Sequence, residues 1–107
     1  MDEILARLHV TAEQIAAFCQ KWQIVRFELF GSALRDDFDE QSDVDVLVTF
    51  GAGAHWTFRD DLAMEESLAT LLGRSVDLVE RQLVERSPNW VRRRHILESA
   101  RLVYAAA

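Results

Sequence analysis

Asp43 and Asp45 stand one residue apart in the segment Asp43–Phe50, where Val44, Val46, Leu47 and Val48 give a β-strand composition. Side chains on a strand alternate between faces, so both carboxylates project from one face, with α-carbons roughly 6.5 Å apart. Two acids among apolar neighbours are costly unless cations neutralise them. Hard divalent ions, Mg²⁺ or Mn²⁺, suit such a pair better than zinc, because His9, His55, His95 and the single Cys19 are scattered along the chain. A third acid, Asp77, is flanked by Val76, Leu78 and Val79 and completes a triad if its strand lies beside the first. Three carboxylates facing two divalent ions leave a net positive centre, suited to nucleotide phosphates and to a two-metal displacement at phosphorus.

Gly31-Ser32 ends an earlier apolar segment, ahead of a helical turn through Ala33, Leu34 and Arg35. Glycine lets backbone approach a phosphate closely, the free N–H groups of the turn face the anion, and the serine hydroxyl adds a donor. Arg35 is placed to reach the same phosphates, or else to pair on the surface with Asp36, Asp37 or Asp39, where such pairs contribute little.

The elements that must position these residues follow from periodicity. Ile15, Phe18, Cys19 and Trp22 are spaced as one helix face behind a Thr11/Gln14 capping box, with a shorter helical turn before it at Glu3–Leu8. Cys19 reads as a small buried hydrophobe. Ile24–Phe30 alternates as the first strand, and Asp36–Asp45 carries six carboxylates in ten residues, a solvated loop. Ser42 fixes that loop by bonding backbone. The Asp43–Phe50 strand follows, then the flexible break Gly51–Gly53, and a helix through Leu62, Leu68 and Leu72 that Gly73 can close in left-handed conformation. Ser75–Val79 is the third strand. Ser87 as cap and Pro88 at the first helical position start a helix to Glu98, and Ala100–Tyr104 is a short last strand. This order predicts an α/β sandwich, helices packed on a small sheet.

The 107 residues give one domain, 1–107, with no internal repeat, low-complexity tract or linker. Twelve Lys and Arg against 18 Asp and Glu, net −6, disfavour a nucleic-acid backbone as the main ligand. No apolar run approaches the ~18 residues of a membrane span, and the Met1-Asp2-Glu3 start is acidic where a secretory signal is basic, so a cytoplasmic protein is expected. The run Arg92-Arg93-Arg94-His95 reads as a solvated helix face, with docking of an acidic partner as the functional alternative. Trp56 and Phe58 read as core, with stacking on a base as the alternative.

Gly31-Ser32, ten intervening residues, and Asp43-Val44-Asp45 together resemble the Gly-Ser-x10-Asp-x-Asp signature of the DNA polymerase β-like nucleotidyltransferase superfamily, most closely its minimal nucleotidyltransferases, the MNT-type antitoxins. The segment from Leu72 to Val79 is similar to that family's Leu-Gly-x-x-Val-Asp-Leu-Val around a third carboxylate, so the resemblance spans nearly the whole chain. It implies a small mixed sheet of the polymerase β palm type, two Mg²⁺ ions, and transfer of AMP from ATP with release of pyrophosphate. It further implies a HEPN-type toxin as partner in a hetero-oligomer, silenced by adenylylation of a tyrosine hydroxyl. On the resemblance, Asp43 and Asp45 hold both metals, and Asp77 binds the catalytic metal and helps deprotonate the acceptor. Gly31 and Ser32 grip the triphosphate with Arg35 assisting. Asp36 departs from the Gly that many relatives carry after the Arg. Two other readings remain open here: neutralisation of the toxin by binding alone, and adenylylation of a small molecule such as an aminoglycoside.

Overall fold

The computed structural model describes residues 2–39 and 41–106; Met1 of the acidic start and Glu40 of the acidic loop lie outside the described residues. Helices α1 (Asp2–Arg7) and α2 (Ala12–Lys21) precede strand β1 (Ile24–Phe30) and a 3-10 turn at Gly31–Leu34. Strand β2 (Val44–Phe50), helix α3 (Phe58–Leu72), strand β3 (Val76–Glu80), helices α4 (Arg81–Glu85) and α5 (Trp90–Ser99) and strand β4 (Arg101–Ala105) complete the order. The four strands lie as β3-β2-β1-β4, with β1 antiparallel to β2 and β4, and β2 parallel to β3. The expected mixed sheet is therefore present, and the third strand does lie beside the second.

Strand alternation divides the core in two. Val44, Val46 and Val48 point to one face and are sealed there by Ile15 and Phe18 of α2 and Met64, Leu68 and Leu72 of α3. Leu47 points to the other, where it meets Phe30, Val84 of α4 and Ile96 of α5. Burial on both faces explains why β2 reads as a nearly continuous apolar run rather than an alternating one. Cys19 is fully buried in the first core, and that burial pushes its thiol up to about 12, which leaves it inert as a nucleophile. No helix among the described residues is long and apolar enough to cross a membrane.

Several boundaries differ from the sequence reading for local reasons. Strand β2 begins at Val44 rather than Asp43, because the Asp43 carbonyl accepts the Ser32 hydroxyl at 2.6 Å while the Val44 N–H opens the ladder on Ser75 at 3.0 Å. Helix α3 starts at Phe58, where Thr57 and Asp60 form a reciprocal capping box, and Gly73 closes it at φ 68°. Helix α5 starts at Trp90, not Pro88. Its cap is Asn89, whose side chain accepts the Arg92 N–H at 3.1 Å, while the Ser87 hydroxyl is engaged by the Asn89 N–H. The third and fourth strands each sit one residue later than expected. Helix α4, which the sequence reading omits, turns the chain out of β3 and is tied to β1 by Arg81 donating to the buried Glu28 at 2.7 Å.

Candidate active site

In the parallel register of β2 and β3, Asp45 pairs with Asp77, so the two carboxylates stand on neighbouring strands and on the same face of the sheet. That is the face of the second core: two residues further along, their neighbours Leu47 and Val79 are covered by α4 and α5. Asp43 lies one residue ahead of β2. Asp43 and Asp77 are exposed and Asp45 is half-buried. None of the three is in an ion pair among the described residues.

The Gly31-Ser32 turn is laid directly against this pair, since Phe30 at the end of β1 is the register partner of Asp45. Gly31 adopts φ 68°, and a Cβ built on it would overlap Oδ2 of Asp45. Only glycine fits both the conformation and the approach. The Ser32 hydroxyl donates to the Asp43 carbonyl at 2.6 Å. The Asp45 carboxyl is held above the ordinary range: burial is the largest cause, the like charges of Asp77 and Asp43 add to it, and the Ser32 N–H and the Arg92 charge act against it.

Two arginines brace the intervening loop from outside. Arg7 of α1 donates to the carbonyls of Ala33 at 3.4 Å and Arg35 at 3.0 Å, fixing the far side of the 3-10 turn. Arg74 donates to the Asp39 carbonyl at 2.8 Å and stacks its guanidinium over Phe38, 4.6 Å from the ring centroid. Ser42 closes the loop on Asp39, accepting its N–H at 3.1 Å, as the sequence reading expects.

Arg35 is in its surface alternative. Its guanidinium meets both oxygens of Asp37 at 2.9 and 3.1 Å, both side chains are exposed, and the contact lowers the Asp37 carboxyl and raises the guanidinium. A cation whose charge acts on Asp45 is Arg92 of α5, the smallest of the influences on that carboxyl. It lies one helical turn before Ile96, which packs on Leu47, so it falls near Asp45, two residues before Leu47 on the same face. Arg93 and Arg94 are engaged elsewhere, with the Ser87 carbonyl and Glu98, while the Arg92 guanidinium has no hydrogen-bond partner among the described residues. Helical spacing from Ile96 is the signal that singles out Arg92 within the basic run. Trp56 joins the core edge-on to Trp22 and Phe50, as expected, but Phe58 is 77% exposed and is not core.

The donor set suits a hard divalent cation. All three acids offer oxygen, and Asp45 sits among like charges that a cation would relieve. As placed, no group of three or more His, Cys, Asp or Glu side chains among the described residues converges closely enough to hold an ion, consistent with mutual repulsion of unneutralised carboxylates. The backbone brings Asp45 and Asp77 together as register partners, with Asp43 one residue ahead of β2.

The profile of the nucleotidyltransferase domain matches residues 12–103, which takes in the turn, both acidic strands and every helix that covers them except α1. The chain belongs to the nucleotidyltransferase domain family. A solved structure of a "putative minimal nucleotidyltransferase" is 32% identical and superposes with a TM-score of 0.63, covering 84% of this chain and 86% of that one. A Methanocaldococcus jannaschii protein named "putative protein adenylyltransferase" is 33% identical over 64 residues, 60% of this nucleotidyltransferase. That match spans 64% of the relative's own length, just under two thirds. A chain in the complex of tri-AMPylated Shewanella oneidensis HEPN toxin with MNT antitoxin shares the fold at 20% identity and TM-score 0.58, over 89% of this chain and 70% of that one. The resemblance drawn from Gly31-Ser32 and Asp43-x-Asp45 thus holds at the level of family and fold.

Proposed function

We propose that this nucleotidyltransferase moves AMP from ATP to a hydroxyl of a partner protein, a HEPN-type toxin, and acts as its antitoxin. The observation that carries the reading is the Asp45–Asp77 register pair lying under the Gly31-Ser32 turn. The protein acceptor and the toxin are suggested by the adenylyltransferase relative and by the AMPylated toxin in the complex that shares the fold.

In this reading Asp43, Asp45 and Asp77 hold two Mg²⁺ ions. Bound there, Mg²⁺ supplies charge neutralisation at the phosphates and polarises the phosphorus under attack. Gly31 admits the triphosphate close to the backbone, Ser32 offers it a hydroxyl donor on leaving the Asp43 carbonyl, and Arg92 supplies the positive charge that Arg35, paired with Asp37, does not. The acceptor oxygen bonds to the α-phosphorus, the bond from that phosphorus to the bridging oxygen of the β-phosphate breaks, and pyrophosphate leaves. The hydroxyl proton passes to Asp77, which is exposed and therefore open to the acceptor. A tyrosine hydroxyl is the acceptor implied by the family resemblance.

Incubation with ATP, Mg²⁺ and a HEPN-type partner, followed by intact-protein mass spectrometry, tests this directly. The expected result is a partner heavier by one or more AMP units. No adduct, combined with full neutralisation of the toxin by the Asp43→Ala, Asp45→Ala variant, would show that binding alone is the activity.

A further inference from the structure

The first half of α3 runs past the open edge of the sheet with its apolar side uncovered. Met64, Leu68 and Leu72 are buried, but Phe58 is 77% and Leu62 47% exposed, and Leu83 of α4, facing them across the β3 edge, is 62% exposed. Phe58 and Leu62 are one helical turn apart, so they form a stripe rather than isolated surface residues. Together the three side chains wall a groove of about 230 Å³ over Leu78. That is smaller than the ~300–1,000 Å³ of a typical small-molecule site, and it suits side-chain anchors of a macromolecule.

Charge selects the occupant. The groove is lined by Asp61, Glu65 and Glu80 and by no basic side chain, and none of the three acids is in an ion pair among the described residues. Glu65 also excludes strand addition: its Oε2 accepts the outward N–H of Leu78 at 3.1 Å, in the middle of the exposed edge. A helix laid in the groove by its side chains meets both the apolar walls and the acidic rim. Leu78 follows Asp77 on β3 but, with its register partner Val46, points to the opposite face, so the groove opens on the other side of the strand from the carboxylate pair. A helix seated there leaves the phosphate-facing turn clear.

We infer that the groove between α3 and α4 docks a basic amphipathic helix of the acceptor protein, apolar anchors against Phe58, Leu62 and Leu83 and Lys or Arg against Asp61 and Glu80. This rests on the protein-acceptor reading and supplies the acceptor-holding surface that reading requires.

The test is fluorescence anisotropy, without nucleotide, on a labelled helical peptide of about 18 residues, five turns, bearing a leucine stripe flanked by lysines. A second peptide has glutamates in place of the lysines. The lysine peptide is expected to bind at least tenfold more tightly. Phe58→Ser and Leu83→Ser, both at exposed positions, should each weaken it about tenfold, and the Asp61→Lys, Glu80→Lys double variant should reverse the preference. Equal binding of both peptides, or binding indifferent to Phe58→Ser and Leu83→Ser, overturns the inference. So does a dimer in sedimentation that Phe58→Ser dissolves, which would assign the groove to a second copy of this chain. Because Asp45→Asn should leave peptide binding intact, AMP transfer that survives Asp45→Asn, or that is absent from the wild-type protein while the peptide still binds, refutes the catalytic reading and not the groove. AMP transfer unaffected by Phe58→Ser and Leu83→Ser does the reverse.

Discussion

Gly31→Ala separates backbone strain from active-site displacement, because Gly73 has the same φ of 68° with no atom within 4 Å of an added Cβ. Both substitutions carry the left-handed penalty of about 1–2 kcal/mol. In a domain of this size each kcal/mol lowers Tm by about 4–8 °C. At Gly31 the new methyl also meets the Asp45 carboxylate, which must retreat by about 1 Å to reach ordinary contact. Misplacement of a reacting group on that scale costs about 100-fold in rate, equivalent to roughly 2.7 kcal/mol of transition-state stabilisation. The assay is pyrophosphate release with ATP, Mg²⁺ and the HEPN-type partner, alongside thermal unfolding of each variant. Comparable Tm losses are expected, with kcat/KM down about 100-fold for Gly31→Ala and within about threefold of wild type for Gly73→Ala. Equal activity in the two variants would refute the claim that the turn works through Asp45.

Asp45→Asn should stabilise the Mg²⁺-free protein at neutral pH while abolishing transfer. Burial and like charge raise the Asp45 carboxyl, so the folded state holds its proton more tightly than the unfolded state. Stability from that carboxyl is therefore present at low pH and lost as pH rises through the carboxylate range, and the amide removes the loss. Urea titrations at pH 7 and at about pH 4 should show the variant's advantage shrinking with acidity; a variant less stable at pH 7 contradicts the reasoning. Arg92→Ala should weaken binding of a fluorescent ATP analogue about tenfold, the scale of one charge-assisted hydrogen bond, with unfolding unchanged. Arg81→Ala removes the closer of the two cations on Glu28, whose side chain is 4% exposed, and should cost about 2–3 kcal/mol in urea unfolding.

The site was largely legible because its signals are local. Gly31-Ser32 ends a strand, Asp43-x-Asp45 enters one, and Asp77 interrupts an apolar run; each leaves a mark within a few residues. Their mutual placement depends only on β2 and β3 being neighbours, a single topological fact. The braces were not legible. Arg7 reaches the carbonyl of a residue 28 positions away and Arg74 one 35 away, contacts that exist only after the chain has folded. Helix α4 is five residues long, too short for a period to show, and Arg81 and Val84 are held by Glu28 of β1 and Leu47 of β2 on the sheet face that it covers. At α5 two legitimate cap signals compete within three residues, and Asn89 prevails where Ser87-Pro88 reads equally well. The groove is hidden in the sequence for a related reason: Phe58 and Leu62 carry the spacing of a core stripe, and the edge position of β3 leaves them uncovered.

The most direct test of AMP transfer through the paired aspartates uses ATP labelled separately at the α- and γ-phosphorus, with Mg²⁺ and the HEPN-type partner. The partner should acquire the α-label and never the γ-label, which leaves in pyrophosphate, and Asp77→Asn should abolish the transfer. Incorporation of the γ-label, or α-label transfer that survives both Asp45→Asn and Asp77→Asn, would contradict the account.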